Sequence, residues 1–149
     1  MATPLTRILI HLLITTRDRA DSITPALEPG LYAHLAEACR HVSSPLLASG
    51  GTSNHIHLLI DLSEKYTLQD VVARLKSSSA KWAASRPEPV PLAWQESFGA
   101  FSISNSQVAQ LRAYLSKQRE HHAASSLDEE LLMLVTNYGV SYLPQQLYE

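Results

Sequence analysis

Two stretches of strict alternation constrain the fold of this chain more than any other feature. In residues 7–15 and again in residues 55–62, every second side chain is aliphatic. The two aliphatic rows are Ile8, Ile10, Leu12 and Ile14 in the first stretch and Ile56, Leu58, Ile60 and Leu62 in the second. Alternation with a period of two is typical of β-strands that bury one face. The opposite rows carry His11, His55 and His57, so we expect the chemistry on that face of the sheet.

The remaining pattern predicts an antiparallel α+β sheet. Capping residues, turn residues and apolar spacing predict a β-α-β-β-α-β-β-α-α order, with helices covering the aliphatic face. The predicted elements after the first strand are a helix at 31–41, a short strand at 46–48, a turn at 49–52, the strand at 55–62, a helix at 67–84, a hairpin built on 94–96 and 100–104, a long helix from about 105 to 124, a helix at 126–139 and an irregular tail at 140–149.

Length and composition narrow the class of protein. A chain of 149 residues fits one domain covering residues 1–149, and no apolar run reaches the roughly 18 residues of a membrane span. The apolar residues 8–14 are followed by Arg17, Asp18 and Arg19 rather than by a small-residue cleavage site. Cys39, the single cysteine, excludes an internal disulfide and a cysteine-cluster metal site. We therefore expect a cytoplasmic protein without a membrane partner.

For a possible nucleic-acid partner, the distribution of charge along the chain matters more than the net charge. A net charge of -2 and a pI of about 6.4 count against a nucleic-acid partner. Residues 65–86, however, carry five cationic side chains against Asp70 alone, and Arg112, Lys117 and Arg119 form a second basic group. A basic zone thus persists in the middle of a nearly neutral chain.

His55-Ile56-His57 is the first candidate site. Side chains at i and i+2 of a strand project side by side, so two imidazoles can bind one cation. Two half-buried structural histidines are the alternative, because short motifs of this kind also occur by chance. The consecutive pair His121-His122 is less suited to one ion, since neighbouring helix positions diverge by about 100°.

Tyr114 and Gln118 are the second candidate pair. They stand at i and i+4 of the predicted long helix and share a face. A phenol with a pKa near 10 needs help to become a nucleophile, and an amide oxygen is a neutral ligand for a hard metal. The alternative is that Tyr114 belongs to an amphipathic core face with Leu111 and Leu115.

Further residues could contact nucleic acid. Arg74, Lys76, Ser78 and Lys81 lie on the second predicted helix, where cationic and hydroxyl groups can bind phosphates. Trp94 and Phe101 flank the predicted hairpin and could stack on bases. A solvated helix face and ordinary core packing are the respective alternatives.

Taken together and in this order, five motifs resemble one family. They are 10-IHLLITTR-17, 54-NHIHLL-59, 75-LKSSS-79, 94-WQESFGAFS-102 and 114-YLSKQREHH-122, and the closing 138-YGVSY-142 is also similar to some members. The chain resembles the single-tyrosine HUH transposases of small bacterial insertion sequences and their domesticated repeat-associated relatives. The resemblance runs from about residue 8 to the C-terminus.

The resemblance implies a ferredoxin-like or RRM-like sheet with a C-terminal tyrosine-bearing helix. His55, His57 and Gln118 would bind one Mg²⁺ or Mn²⁺, and Tyr114 would attack single-stranded DNA with hairpin ends to give a 5′-phosphotyrosine and a free 3′-OH. Members are usually homodimers, often with the tyrosine helix packed against the partner's HUH site. The nucleic-acid contacts expected here are Arg74, Lys76, Ser78, Lys81, Lys117, Trp94 and Phe101.

Three alternatives to an insertion-sequence transposase stay open. One is a domesticated repeat-associated nuclease, although the chain lacks the extended basic tail that marks such forms. Another is a non-catalytic RRM-like module that binds nucleic acid without cutting it. The third is a relative that kept the fold but lost activity, although all the proposed metal ligands and the tyrosine are present. A two-histidine phosphoesterase fits poorly, because neither His11 nor His57 begins a His-x-Thr or His-x-Ser motif. The acidic pI, where many members are basic, predicts DNA affinity that is weak and steeply salt-dependent.

Overall fold

The computed structural model describes residues 2–141 and 146, apart from the side chains at 121, 123 and 124. Four strands form one sheet in the order β2-β3-β1-β4. The elements are β1 (Leu9–Thr15), α1 (Glu28–His41), β2 (Leu46–Gly51), β3 (His55–Asp61), α2 (Leu68–Ala84), β4 (Gly99–Ser102), α3 (Val108–Ser116), α4 (Gln118–Ala124) and α5 (Leu127–Asn137). Among the described residues, no helix combines the length and the apolar character that a membrane span requires.

All the strand pairings are antiparallel, and β1 lies at the centre of the sheet with β3 on one side and β4 on the other. A β-α-β-β-α-β order with this arrangement of strands is that of a ferredoxin-like sheet. The predicted α+β fold class is therefore confirmed. The register pairs Leu13 with His57 and His11 with Leu59, which aligns the histidine rows of β1 and β3 on one face.

The aliphatic face of the sheet is covered by α1 and α2, as predicted. Leu12, Ile14, Ile56, Leu58 and Ile60 are each at most 1% exposed and pack into the largest apolar cluster. The helices contribute the apolar stripes expected from their sequences, which are Leu31, Leu35 and Cys39 in α1 and Val71, Val72 and Leu75 in α2. Burying a leucine or isoleucine of this size stabilises the fold by roughly 1.5–3 kcal/mol per side chain.

The histidine face is covered by the C-terminal helices of the same chain. Leu111 and Leu115 of α3 pack on Leu9 and Leu59. Farther along the sheet, Leu134 of α5 packs with Leu13 and Phe101. These two small clusters leave the histidines between them, enclosed by protein.

Strand β2 is longer than predicted. The glycines at 50 and 51 were expected in a turn, but they pair with His57 and Ile56 of β3, and the connection is confined to residues 52–54. Gly50 is required here for a steric reason. A Cβ at this position would lie 2.0 Å from the carbonyl oxygen of Leu115, so the end of α3 rests directly on the backbone of β2.

The predicted hairpin at 94–104 is wrong. Trp94 makes only an isolated bridge to Thr16, and Gly99–Ser102 pairs with β1 instead. The segment before β4 is held by Lys76, whose Nζ donates to the carbonyl oxygens of Gln95, Glu96 and Ser97 at 2.7, 2.9 and 3.0 Å. Carbonyls engaged by an ammonium group are not available to a strand partner, which explains the missing hairpin.

The predicted long helix is divided into α3 and α4 at Lys117, whose backbone angles of φ -112° and ψ 20° are not helical. Tyr114 and Gln118 therefore belong to different helices, although both face the sheet. The final predicted helix ends at Asn137, and Gly139 follows it with a positive φ of 67°. Most of the predicted tail at 140–149 lies outside the described residues.

Replacing Gly50 with alanine tests the contact between β2 and α3. The added methyl group must displace the end of α3, so we expect Gly50→Ala to lower the free energy of unfolding by about 1–3 kcal/mol. Gly99→Ala is the matched control, because its Cβ would come no nearer than 3.4 Å to the atoms around it. Urea denaturation of both variants measures the difference. Equal stability of the two variants would contradict the contact.

Replacing Lys76 with methionine tests its structural role. Met keeps the aliphatic stem but leaves three carbonyl oxygens without their donor, so we expect a loss of about 1–3 kcal/mol in the free energy of unfolding. Lys81→Met, at an exposed position of the same helix, should change stability by less than about 0.5 kcal/mol. Thermal and urea denaturation of both variants measure this difference. A Lys76→Met variant with wild-type stability would show that the three hydrogen bonds are dispensable.

Candidate metal and tyrosine site

The two histidines of the His-x-His motif are completely buried side by side on β3. His55 and His57 are each 0% exposed, and their ring centroids lie 5.2 Å apart. This proximity follows from strand geometry, since residues i and i+2 project from the same face. The predicted pairing of the two imidazoles is therefore present.

His55 is oriented by the loop that precedes β3. Its Nδ1 lies 2.9 Å from Oδ1 of Asn54 and 3.0 Å from the hydroxyl of Thr52. The amide oxygen of Asn54 can only accept a hydrogen bond, so one tautomer of His55 places its hydrogen on Nδ1. In that neutral tautomer, Nε2 of His55 presents its lone pair toward the interior of the site, as a metal ligand must.

His57 connects two further groups. Its Nε2 donates to Oε1 of Glu130 at 2.9 Å, and its Nδ1 lies 2.8 Å from Nε2 of His11. Burial lowers the pKa of His57, and burial together with the neighbouring His57 lowers the pKa of His11 to about 3. His11 is therefore neutral at physiological pH. It can accept or donate at Nε2, so it can serve either tautomer of His57.

The helices bring Tyr114 and Gln118 to the same histidines. Oε1 of Gln118 lies 3.1 Å from Nε2 of His55, and its Nε2 donates to Glu130 at 3.0 Å. The half-buried ring of Tyr114 stands edge-on to His57, with centroids 6.0 Å apart, and its hydroxyl donates to Oε2 of Glu130. Burial, followed by the hydrogen bond to Glu130, raises the pKa of Tyr114. The phenol is therefore neutral at physiological pH.

Glu130 is the site residue that the sequence analysis missed. It lies in the first turn of α5, is 3% exposed, and contacts His55, His57 and His122 through Oε1. Burial alone would raise its pKa, but the contacts with His55 and His57 and the hydrogen bond from Tyr114 outweigh burial and hold the pKa below its usual range. The sequence did contain one signal that could have identified Glu130. Glu130 stands at i+3 from Leu127 and i−4 from Leu134, on the apolar stripe of the helix, where an acid is unusual.

Three of these residues lie close enough together to hold one metal ion. His55, His122 and Glu130 offer ligand atoms that all lie within 4.8 Å of one another. Two ligands at right angles, each about 2.1 Å from one ion, are about 3.0 Å apart. The distances from Oε1 of Glu130 to Nε2 of His57, His55 and His122 are 2.9, 3.3 and 3.3 Å, which is the same range. Imidazole nitrogens with amide and carboxylate oxygens fit a divalent cation such as Mn²⁺ or Mg²⁺.

The residues expected to contact nucleic acid are divided between the two faces of the sheet. Arg74, Ser78 and Lys81 line a groove between α1 and α2, on the face opposite the histidines. Within this groove, Ser78 is hydrogen-bonded to Nε2 of His34 at 2.7 Å, and the guanidinium of Arg74 stacks over the ring of Tyr66 at 5.3 Å. Lys117 is exposed on the histidine side, between α3 and α4.

Three of the residues that were expected to contact nucleic acid make structural contacts within the chain. Lys76 binds the carbonyl groups before β4, as described above. Trp94 is 7% exposed, packs in the aliphatic core and donates its indole N–H to Ser79 at 2.9 Å. Phe101 is 6% exposed and stacks on Tyr138 with centroids 4.6 Å apart. Neither ring presents a free face to a base, so the alternative of core packing describes both better.

Comparisons with known proteins agree with this geometry. Residues 5–118 match the family model described as IS200-like transposase. Two solved structures share the fold. One is a candidate transposase from Deinococcus radiodurans R1, with a TM-score of 0.62, 22% identity and coverage of 79% of this chain and 95% of that chain. The other is a REP-associated tyrosine transposase bound to a REP hairpin, with a TM-score of 0.60, 14% identity and coverage of 82% and 72%.

No curated protein sequence matches the chain. The family assignment rests on the match over residues 5–118, which includes both histidines of β3, Tyr114 and Gln118. The chain belongs to the family of IS200-like transposases.

Proposed function

We propose that this transposase cleaves and rejoins single-stranded DNA through a covalent link to Tyr114 in a metal-dependent reaction. The observation that supports the proposal most strongly is the convergence of four groups in one chain. The hydroxyl of Tyr114, the Nε2 atoms of His55 and His57 and the amide of Gln118 all contact Glu130 or one another. A nucleophile next to candidate metal ligands is the minimum that phosphoryl transfer to a side chain requires.

His55, His57 and Gln118 are the proposed metal ligands. When bound there, Mg²⁺ or Mn²⁺ would polarise the scissile phosphate and stabilise the charge that develops on the leaving 3′ oxygen. The residues themselves fit this role. Nε2 of His55 is a lone-pair donor in the tautomer that has its hydrogen on Nδ1, beside Oδ1 of Asn54. His57 becomes one when its hydrogen moves to Nδ1, beside the acceptor Nε2 of His11.

The chemical step conserves the number of phosphodiester linkages. The Oη atom of Tyr114 forms a bond to phosphorus as the bond from phosphorus to the 3′ oxygen breaks, which leaves a 5′-phosphotyrosine and a 3′-OH. The phenol must lose its proton, and Oε2 of Glu130 already accepts a hydrogen bond from it. Overall, the proton that the phenol loses is balanced by the proton that the leaving 3′ oxygen gains. The reverse attack by a 3′-OH rejoins DNA without ATP.

Single-stranded DNA with hairpin ends is the proposed substrate. The REP-associated neighbour is described as bound to a REP hairpin, and this supports hairpin recognition in a chain of the same fold. Arg74, Lys81 and Lys117 provide cationic groups for phosphates. A homodimer stays a prediction, since the groups that contact Glu130 all come from one chain.

A domesticated, repeat-associated nuclease is the second candidate. The likeness to the REP-associated tyrosine transposase favours it, because the same fold there engages a repeat hairpin. The two candidates share the chemistry of Tyr114 and differ in the DNA. Oligonucleotides from the flanks of the gene distinguish an insertion-sequence substrate from repeats dispersed elsewhere. A non-catalytic binding module would form no covalent adduct with either DNA.

Tyr114→Phe removes the proposed nucleophile while retaining the ring. We expect adduct formation with a single-stranded oligonucleotide in Mg²⁺ or Mn²⁺ to fall by at least about a thousandfold, with DNA binding preserved. SDS-resistant adducts on gels and a binding titration are the two measurements. Tyr66→Phe, in a tyrosine beside α2 on the opposite face, is the control and should retain adduct formation. Adducts that persist in Tyr114→Phe would assign the nucleophile elsewhere.

His57→Ala and chelation by EDTA test the metal dependence. Either change should reduce cleavage to background, because the cation loses a ligand or is removed. His41→Ala, an exposed histidine at the end of α1, is the control for the loss of an imidazole. Cleavage in EDTA at the normal rate, or cleavage of duplex DNA as fast as of single strands, would rule out the proposed mechanism.

A further inference from the structure

We propose that Glu130 is itself a metal ligand, which binds through Oε1 the same divalent cation as His55 and His57 while Oε2 retains the hydroxyl of Tyr114. The proposal rests on the proposed function, because it assigns an additional ligand to the cation of that site. Its consequence is that one carboxylate from α5 links the metal centre to the nucleophile.

The position of the carboxylate is the first argument. Oε1 lies 2.9 Å from Nε2 of His57 and 3.3 Å from Nε2 of His55. These are the atoms that would ligate a cation, and the spacing is that of neighbouring ligands around one ion, about 3.0 Å. No movement of α5 is needed to bring the carboxylate to an ion held by both rings.

The convergence of acceptor groups is the second argument. Oε1 of Glu130 and Oε1 of Gln118 lie 3.3 and 3.1 Å from Nε2 of His55, while Oδ1 of Asn54 lies 2.9 Å from Nδ1 of the same ring. A neutral imidazole has one hydrogen, which cannot serve the acceptors at both nitrogens. With that hydrogen on Nδ1, both oxygens at Nε2 face a lone pair. Two oxygen acceptors that face a nitrogen lone pair repel one another unless a proton or a cation lies between them. Nε2 of His122 lies 3.3 Å from the same Oε1 and has no hydrogen-bond partner within the described chain. A cation satisfies all four atoms at once.

The two oxygens of Glu130 have separate partners. Oε1 faces the three imidazoles, whereas Oε2 accepts from Tyr114 and from Nε2 of Gln118. Coordination through Oε1 would therefore leave the hydrogen bond to the phenol intact. This division explains why a glutamate, with two acceptor atoms on a planar group, suits the position.

Binding of Mn²⁺ tests the proposal without a cleavage assay. Electron paramagnetic resonance of free Mn²⁺ gives the dissociation constant for the wild-type chain, Glu130→Gln and the control Glu129→Gln, an exposed acid one residue away. Gln retains the size and can still accept from Tyr114, but it lacks the charge. We expect Glu130→Gln to weaken Mn²⁺ binding at least tenfold and Glu129→Gln to leave it unchanged. Glu130→Asp, which shortens the side chain but keeps the carboxylate, should bind better than Glu130→Gln.

The outcomes separate this proposal from the proposed function. Wild-type affinity in Glu130→Gln, together with lost affinity in His57→Ala, would leave the two-histidine site standing and overturn Glu130 as a ligand. Unchanged affinity in both variants, or no binding of Mn²⁺ by the wild type, would overturn both. Circular dichroism of each variant verifies folding. If Glu130→Gln does not fold, Glu130→Asp decides: the shortened carboxylate should weaken Mn²⁺ binding relative to the wild type, and equal affinities for these two would overturn Glu130 as a ligand.

Discussion

A buried carboxylate holds the histidine side of this structure together. Glu130 is 3% exposed, and an ionised acid at that depth is stable only when charged or polar partners surround it. The partners come from β3, from the end of α3 and from α4, so one side chain of α5 ties three other elements to one point. Removal of Glu130 would take away the acceptor that Nε2 of His57 and the side-chain amide of Gln118 share, and with it the contact that joins these elements.

The sheet separates the main core from the proposed metal site. Its aliphatic face forms the main core with α1 and α2, and its other face carries the histidines under α3, α4 and α5. The groove with Arg74 and Lys81 therefore lies on the side away from Tyr114. A single strand of DNA that contacted both would have to cross an edge of the sheet. Any phosphate contacts made by the cationic zone in the middle of the sequence would therefore be distant from the proposed metal site, whereas Lys117 lies beside that site.

The buried face of each strand was predictable from the sequence, because alternation with a period of two places all the aliphatic side chains on one face. The same period predicts that His55 and His57 lie side by side on the other face. Tyr114 and Gln118 were also expected on one face, although the break at Lys117 was not visible in the pattern. Glu130 was not predicted as a site residue, because an acid in the first turn of a helix is already explained by the helix dipole. The prediction of a hairpin at Trp94 was wrong because Lys76 binds the carbonyl groups of residues 95–97. Lys76 lies some 20 residues earlier in the chain, and so distant a partner leaves no local signal in the sequence. The metal ligands, the dimer and the DNA contacts remain predictions.

The charge of the site provides a further reason for a carboxylate among the proposed ligands. Two imidazoles and an amide are neutral, and a divalent ion enclosed by neutral groups at a buried position retains its full charge at a large desolvation penalty. Glu130 would offset one unit of that charge and strengthen binding of the ion before DNA arrives. The scissile phosphodiester carries one negative charge, so the ion, the carboxylate and the phosphate together sum to zero. Under the proposed ligand set, the bound substrate completes the neutralisation of the site, and the remaining positive charge in its absence attracts the phosphate of a single strand.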